Sequence, residues 1–150
     1  MSRVEPVPEH LHTVTPRLVV RNAADAIAFY ASAFAAEEIG ERITGPGGEL
    51  IHAELRIGDS VVFITEDTGD PDALAKAPPL LGGAVSAIMV TYWPSVDSVW
   101  DRAVRAGAEV IYPLADQSYG ERGGRLRDLY GQQWMLSQRI DKVPQDEVTG

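Results

Sequence analysis

His52 and Glu54 are the residues whose types and spacing best suit catalysis or metal binding in this sequence. They stand two positions apart in residues 50–57, where polar and apolar residues alternate, so both side chains point to one face of a predicted strand. An imidazole and a carboxylate placed in this way form an acid/base pair or part of a metal site. A metal needs a third ligand, and none is obvious, so a polar strand face at a dimer contact is the alternative. His10 and His12 share the spacing but fall in a predicted tail.

Composition excludes several classes of function. The 150 residues contain no cysteine, which rules out disulfides, Cys-ligated zinc, iron–sulfur clusters and thiol nucleophiles. The net charge of -9, with 22 Asp+Glu against 13 Lys+Arg, argues against nucleic acid as a partner, because phosphate binding needs a basic surface. No apolar run approaches the ~20 residues of a spanning helix, and the first residues lack the apolar segment of a signal peptide. We therefore expect a cytoplasmic protein with no membrane partner.

The elements that must position His52 and Glu54 follow one order twice. A predicted strand (13–20), a helix (23–35) and strands at 37–43, 50–57 and 60–65 are followed by a strand (85–92), a helix ending near Gly107, and strands at 109–112, 121–127 and 133–138. Asp25 matches Asp97 and Ile39 matches Ile111 at an offset of 72. Chance similarity of two strand–helix–strand runs is the alternative, but the constant offset favours a duplicated unit.

This order predicts five segments. They are a flexible N-terminal tail (1–12), a first βαβββ module (13–67), a linker rich in Pro and Gly (68–83), a second βαβββ module (84–140) and a flexible C-terminal tail (141–150).

Several motifs make the chain similar to a known family. They are Ala26-Ile27-Ala28-Phe29-Tyr30, His52-Ala53-Glu54-Leu55-Arg56-Ile57-Gly58-Asp59, Ala106-Gly107-Ala108-Glu109-Val110, Tyr119-Gly120-Glu121-Arg122 and Asp128-Leu129-Tyr130-Gly131-Gln132-Gln133-Trp134. Across residues 13–139 the chain resembles the vicinal oxygen chelate superfamily of glyoxalases, bleomycin-resistance proteins and dioxygenases, in particular its PhnB-like branch. The resemblance implies an α+β fold in which two βαβββ modules form a curled, eight-stranded mixed sheet, or cup, and it implies a homodimer.

The resemblance also implies where a divalent metal would be held. The family's four ligand positions fall on Thr15, Phe63, Ile88 and Met135 of this chain. None of these side chains is a plausible ligand for a hard or borderline cation. We therefore expect no metal and no other cofactor, and the chain leans away from being an enzyme.

Strand parity predicts which side chains line the cup. A turn at Gly58-Asp59 pairs Ile57 with Ser60, Leu55 with Val62 and Glu54 with Phe63, and paired residues share a sheet face. Ile51, Ala53, Leu55 and Ile57 then face the helices. Trp100 and Trp134 are predicted to be core. The predicted ligand-binding residues are Arg17, His52, Glu54, Phe63, Ile88, Tyr92, Trp93, Tyr119 and Met135. The arginines at 122, 125 and 127 hold an anion or pair with the surplus carboxylates.

These residues support three hypotheses. The first is a metal-free protein that sequesters an aromatic or peptide antibiotic of the bleomycin or DNA-intercalating kind, with the acidic surface attracting a cationic part of the drug. The second is a metal-dependent glyoxalase-, dioxygenase- or transferase-like enzyme with a relocated site at His52 and Glu54. The third is a metal-free enzyme in which Glu54, beside Phe63, acts as a base of raised pKa.

Overall fold

The structure is a computed structural model, and it describes residues 4–141. Most of the predicted C-terminal tail, residues 142–150, lies outside the described residues, as do the first three residues of the predicted N-terminal tail.

The first half of the chain forms one strand, one helix and then three strands. The elements are β1 (Arg17–Val20), α1 (Ala23–Phe34), β2 (Glu37–Thr44), β3 (Leu50–Ile57) and β4 (Ser60–Glu66). They make a four-stranded mixed sheet in the order β1-β4-β3-β2, in which β1 runs parallel to β4 and the other neighbours are antiparallel.

The second half repeats this order. Its elements are β5 (Met89–Tyr92), α2 (Val96–Arg105), β6 (Glu109–Asp116), β7 (Glu121–Arg127) and β8 (Gln133–Arg139). The sheet order is β5-β8-β7-β6, again with one parallel pair, β5 with β8. The predicted α+β fold of two βαβββ modules is confirmed, and its eight strands form two sheets of four.

The chain divides into two compact units between Ala77 and Pro78, and residues 32–34 group with the second unit. This boundary lies in the stretch predicted to be a linker. The stretch contains two short 3-10 helices, Pro71–Ala73 and Pro78–Leu81. The carboxylate of Asp67 accepts hydrogen bonds from the backbone N–H of Gly69 at 2.9 Å and of Ala77 at 2.6 Å, so side-chain bonding fixes the start of the connection.

Each helix buries one face, and the buried positions correspond. Four buried positions of α2 each lie 73 residues after a buried position of α1. The pairs are Ala23 with Val96, Ala26 with Val99, Ile27 with Trp100 and Tyr30 with Ala103. The helices therefore correspond at 73, one more than the offset of 72 that their sequences predict. Trp100 thus takes the position of Ile27, and its bulk is accommodated by Gly124.

The hairpin between β3 and β4 has the predicted register. Ile57 pairs with Ser60, Leu55 with Val62 and Glu54 with Phe63. Ala53, Leu55 and Ile57 are buried as expected, but the prediction for Ile51 is wrong, because its side chain is 47% exposed. The pairing with β2 shifts from Ile43 opposite His52 to Thr44 opposite Leu50, so Ile51 lies in a bulge.

Both first strands are shorter than predicted. β1 begins at Arg17 rather than at residue 13, and β5 begins at Met89 rather than at residue 85, after a bend at Ser86. Thr15 and Ile88 therefore precede the strands. The outer strands β2 and β6 each contain two register shifts against their neighbours. No helix among residues 4–141 is long and apolar enough to cross a membrane.

Candidate functional site

The sheet of the first module brings four predicted site residues together. His52 packs edge-on against Phe63 with ring centroids 4.6 Å apart, and the Arg17 guanidinium carbon lies 5.8 Å from the centre of the same ring. Glu54 pairs with Phe63 across the hairpin. The predicted cluster of Arg17, His52, Glu54 and Phe63 is therefore one continuous surface around a single aromatic ring.

Glu54 in this cluster lies between two imidazoles. His52 Nε2 is 3.0 Å from Glu54 Oε2, and His10 Nε2 is 2.7 Å from Glu54 Oε1. The hydrogen bonds from His52 and then His10 hold the pKa of Glu54 below its ordinary value. The expectation of a base with a raised pKa is wrong, because these bonds to the charged form outweigh the effect of partial burial.

This cluster does not form a metal centre as it stands. Each imidazole bonds a different carboxylate oxygen, and residues 4–141 contain no group of three or more His, Cys, Asp or Glu that could hold a metal ion. The positions that the family resemblance assigns to metal ligands fit no better. Thr15 and Met135 offer a hydroxyl and a thioether, while Phe63 and Ile88 offer only hydrocarbon, and a divalent hard or borderline cation needs carboxylate, carbonyl or imidazole donors.

The sheet of the second module carries apolar and aromatic side chains on the equivalent face. Val90 pairs with Met135, Met135 with Arg125, and Arg125 with Tyr112, so one row of side chains crosses all four strands. Val90 is 53% exposed, and Tyr112 and Tyr92 are each 60% exposed. This row, together with Tyr92, is called the second-module face below.

Tyr92 is hydrogen-bonded to Glu121, the first residue of β7. Its hydroxyl donates a hydrogen bond to Glu121 Oε2 at 3.1 Å, and this bond raises the pKa of Tyr92 above its ordinary value. Tyr119, half exposed in the turn before β7, also contributes to the raised pKa of Tyr92 through its charge. The two predicted tyrosines thus lie at one end of the second-module face.

The remaining predicted residues divide between two faces of this sheet. Met135 lies in the row, and half-buried Ile88 precedes β5. The ring of Trp93 packs near that of Phe34, with the two centroids 5.9 Å apart. The indole Nε1 of Trp93 donates a hydrogen bond to Thr91 Oγ1 at 2.7 Å. Thr91 pairs with buried Leu136, and Trp93, two residues further along, follows on the same side of the sheet. Trp93 therefore lies on the helix side and is not part of the second-module face. The interpretation of Trp100 and Trp134 as core residues is confirmed.

The three arginines of β7 have different partners. Arg122 pairs with Asp97 at 2.9 Å and Asp116 at 3.1 Å, and Arg127 pairs with Glu109 at 2.6 Å. Arg125 forms no ion pair within residues 4–141. Its guanidinium carbon lies 5.2 Å from the centre of the Tyr112 ring instead. The predicted pairing with surplus carboxylates therefore holds for Arg122 and Arg127. It does not hold for Arg125 within the described residues.

Sequence reasoning placed neither His10 nor Tyr112 on these surfaces. It named Arg125 among the arginines that hold an anion or pair with carboxylates, but it did not place Arg125 opposite Tyr112. The shift between Val110 and Tyr112 hides the correct parity of β6, because alternation counted from Glu109 cannot include the extra residue. His10 was assigned to a tail, and no pattern in the sequence indicates its contact with Glu54.

A family model described as "Glyoxalase/Bleomycin resistance protein/Dioxygenase superfamily" matches residues 10–136 of this chain. An uncharacterized protein of Mycobacterium tuberculosis strain H37Rv is 41% identical over 136 residues, covering 90% of this chain and 79% of the relative. An uncharacterized protein of Mycobacterium bovis has the same identity, covering 90% of this chain and 88% of the relative.

Two solved structures share the fold. TioX from Micromonospora sp. ML1 is 25% identical with a TM-score of 0.65, covering 84% of this chain and 97% of that one. A glyoxalase/bleomycin resistance protein/dioxygenase family enzyme from Burkholderia phytofirmans PsJN is 17% identical with a TM-score of 0.62, covering 83% of this chain and 95% of that one.

Proposed function

Because the chain belongs to the glyoxalase/bleomycin resistance protein/dioxygenase superfamily, we propose that it binds a small molecule without a metal and sequesters an aromatic or peptide antibiotic. The proposal includes a homodimer in the cytoplasm as the binding species. The observation that carries it is the exposure of Tyr92 and Tyr112 on one sheet face.

Exposed aromatic side chains on one face suit a flat ligand. Tyr92 and Tyr112 have a large apolar body and a polar tip, and Val90 adds aliphatic surface beside them. Each ring that a ligand covers contributes about 0.5–1.5 kcal/mol beyond simple area burial when it stacks in an offset or edge-on manner. Apolar and aromatic side chains with a few polar anchors are also typical of the lining of small-molecule sites.

The charge of the protein supports a ligand with a cationic part. The net charge of -9 raises the local concentration of cations around the molecule. Glu121, which accepts the hydrogen bond of Tyr92, places a carboxylate at one end of the second-module face. The donor chemistry of Thr15, Phe63, Ile88 and Met135 supports binding without a metal.

The proposal is tested by calorimetric titration of the purified protein with bleomycin and with actinomycin D, an intercalating peptide antibiotic. We expect micromolar or tighter binding of at least one. The double variant Tyr92→Ala/Tyr112→Ala should weaken it by about tenfold or more, equivalent to about 1.4 kcal/mol. Leu74→Ala is the control, because Leu74 is exposed but lies in the connection between the modules. Absence of micromolar binding to both drugs would contradict the proposal, and sedimentation analysis tests the dimer.

A relocated enzyme site at His52 and Glu54 is the second candidate. The observation in its favour is the position of His10, which gives Glu54 a second imidazole partner. Elemental analysis and a glyoxalase assay separate the two functions. Stoichiometric divalent metal that disappears in His52→Ala would favour the enzyme and overturn simple sequestration, whereas metal-free, inactive protein would remove this candidate.

A further inference from the structure

We propose that Arg125 anchors an oxyanion of the ligand, so that the second-module face takes an aromatic compound carrying a carboxylate or phosphoryl group. This inference rests on the proposed function and specifies the chemistry of the molecule that would be bound.

Arg125 occupies the centre of the face. It pairs with Met135 on one side and with Tyr112 on the other, in the row that crosses all four strands of the sheet. Its guanidinium lies over the ring of Tyr112 at 5.2 Å. Stacking on an aromatic ring orients the plane of a guanidinium and leaves its edge to form hydrogen bonds.

Arg125 is the arginine of β7 that has no ion pair among residues 4–141. Arg122 and Arg127 on the same strand both have carboxylate partners. No hydrogen bond or ion pair joins the Arg125 side chain to another residue within the described range 4–141, and its Nε is buried without a hydrogen-bond partner. A buried donor that lacks a partner costs about 1–3 kcal/mol, and residues 4–141 supply no acceptor that offsets this cost for Arg125.

The absence of an ion pair at Arg125 within residues 4–141 contrasts with the composition of the chain. The chain has 22 Asp+Glu for 13 Lys+Arg, so carboxylates are in excess. Two carboxylates of the same sheet already have partners, since Glu109 is bonded to Arg127 and Glu121 to Tyr92. An oxyanion from outside is therefore the complementary group for Arg125.

The neighbours of Arg125 define the rest of the ligand. A planar guanidinium binds carboxylate or phosphoryl oxygens with two parallel N–H···O bonds. Tyr112 and Met135 on either side favour an aromatic body attached directly to the oxyanion. Glu121 repels a second negative charge at the Tyr92 end, so the ligand's other end is neutral or cationic.

Titrations with naphthalene compounds test the inference. The probes are 2-naphthoate, 2-naphthyl phosphate and the neutral 2-naphthamide, which share one aromatic body. We expect the preferred oxyanion to bind at least about tenfold more tightly than the amide, as for a charge-assisted bond. The carboxylate and phosphate arms identify which oxyanion the site takes.

Arg125→Gln should reduce this preference to near unity, and Arg125→Lys should retain part of it, because a point charge remains without the bidentate geometry. Arg127→Gln is the matched control, since Arg127 already pairs with Glu109, and it should leave the preference unchanged. Thermal midpoints of the variants check folding.

Equal binding of naphthoate, naphthyl phosphate and naphthamide by the native protein, or an unchanged preference in Arg125→Gln, would overturn the oxyanion assignment. If either antibiotic still binds, the proposed function survives that result. Loss of binding to the antibiotics and to all three probes would overturn both.

Discussion

The two sheets present equivalent rows of side chains with opposite central charges. In the first module the row runs Arg17, Phe63, Glu54, Ile39, and in the second it runs Val90, Met135, Arg125, Tyr112. Glu54 and Arg125 therefore occupy the same position in similar sheets. Glu54 has two imidazole partners, whereas Arg125 has an aromatic ring and no ion pair in the described chain.

This difference shows that the repeated backbone does not impose repeated chemistry. The first face satisfies its charge with groups of its own unit, so a ligand there must displace existing hydrogen bonds. The second face leaves a cation beside exposed aromatic surface, so a ligand bound to Arg125 displaces no side-chain hydrogen bond of that arginine within residues 4–141. Binding is expected to be stronger on the second face for that reason.

We expect the largest difference in the free energy of unfolding when equivalent aspartates in the two hairpin turns are replaced. Buried Asp128 accepts hydrogen bonds from Tyr130 N, Gln132 N and Trp134 Nε1, all between 2.9 and 3.0 Å. Asp128→Ala leaves these donors without that acceptor and should lower the free energy of unfolding by about 3 kcal/mol.

Asp59→Ala is the matched change in the first hairpin. Asp59 is exposed and accepts only a 3.3 Å bond from Ser60 among the contacts of the described chain, so the loss should stay within about 0.5 kcal/mol. Urea denaturation measures both, and equal losses would contradict the comparison.

The next largest change in the free energy of unfolding is expected where the cores of the two modules are filled by different side chains. In the second module Trp100 occupies the position that Ile27 has in the first, and Gly124 occupies the position of Ala53. A Cβ on Gly124 would lie 2.7 Å from the Trp100 ring and 2.8 Å from the carbonyl oxygen of Tyr112. Gly124→Ala should therefore cost about 2 kcal/mol.

Trp100→Ile should relieve part of that clash. In a double-mutant cycle with Gly124→Ala we expect a favourable coupling of about 1 kcal/mol. Additive losses would show that the Tyr112 carbonyl, and not the indole, limits the space.

A smaller effect concerns the helix N-termini. Glu66 accepts from Ala23 N at the start of α1 and from Leu50 N, both at 3.1 Å, while Gln138 accepts from Val96 N at the start of α2 at 3.0 Å. Glu66→Gln should cost about 1 kcal/mol, because a carboxylate accepts more strongly and has no N–H to oppose the second donor.

The reciprocal change Gln138→Glu should raise the free energy of unfolding by about 0.5 kcal/mol, because a negative charge is favourable at a helix N-terminus. Chemical denaturation of both variants measures the asymmetry. Destabilisation by Gln138→Glu would show that the caps are not interchangeable.

The smallest effect is the pH dependence that Glu54 gives the first module. Its pKa is lowered by folding, so the stabilisation is present above the ordinary value of 4.5 and is lost as pH falls through the lower folded value. We expect less than about 1 kcal/mol. Glu54→Gln should abolish this part of the pH profile and His10→Ala should reduce it, whereas an unchanged profile in both would exclude Glu54 as its source.

Local sequence predicts the hairpins and helices well because short-range rules govern them. Gly58, with φ of +60°, starts a two-residue turn that fixes the register of β3 and β4, and Glu54 opposite Phe63 follows from it. The helical spacing of Val96, Val99 and Trp100 likewise predicts their burial.

Long-range pairing is where the predictions failed. Bulges put Ile51 outside the core and bring Tyr112 opposite Arg125, and nothing in the local alternation marks an inserted residue. The contact between His10 and Glu54 joins residues far apart in the chain. The sequence alone therefore predicted most of the polar cluster in the first module. It named Arg125 among three arginines of β7 but did not distinguish it as the one without an ion pair within residues 4–141.

The irregular outer strands have a consequence for assembly. An outer strand with straight, unpaired N–H and C=O groups is a template on which another chain can add a strand and aggregate. The regular pairing of β2 with β3 breaks between Ile39 and Ile43, around Gly40 with its φ of +67°, and β6 contains Pro113, which has no N–H to donate. The register shifts that make the sheets hard to predict thus also protect β2 and β6 against open-ended strand addition by other copies of the chain.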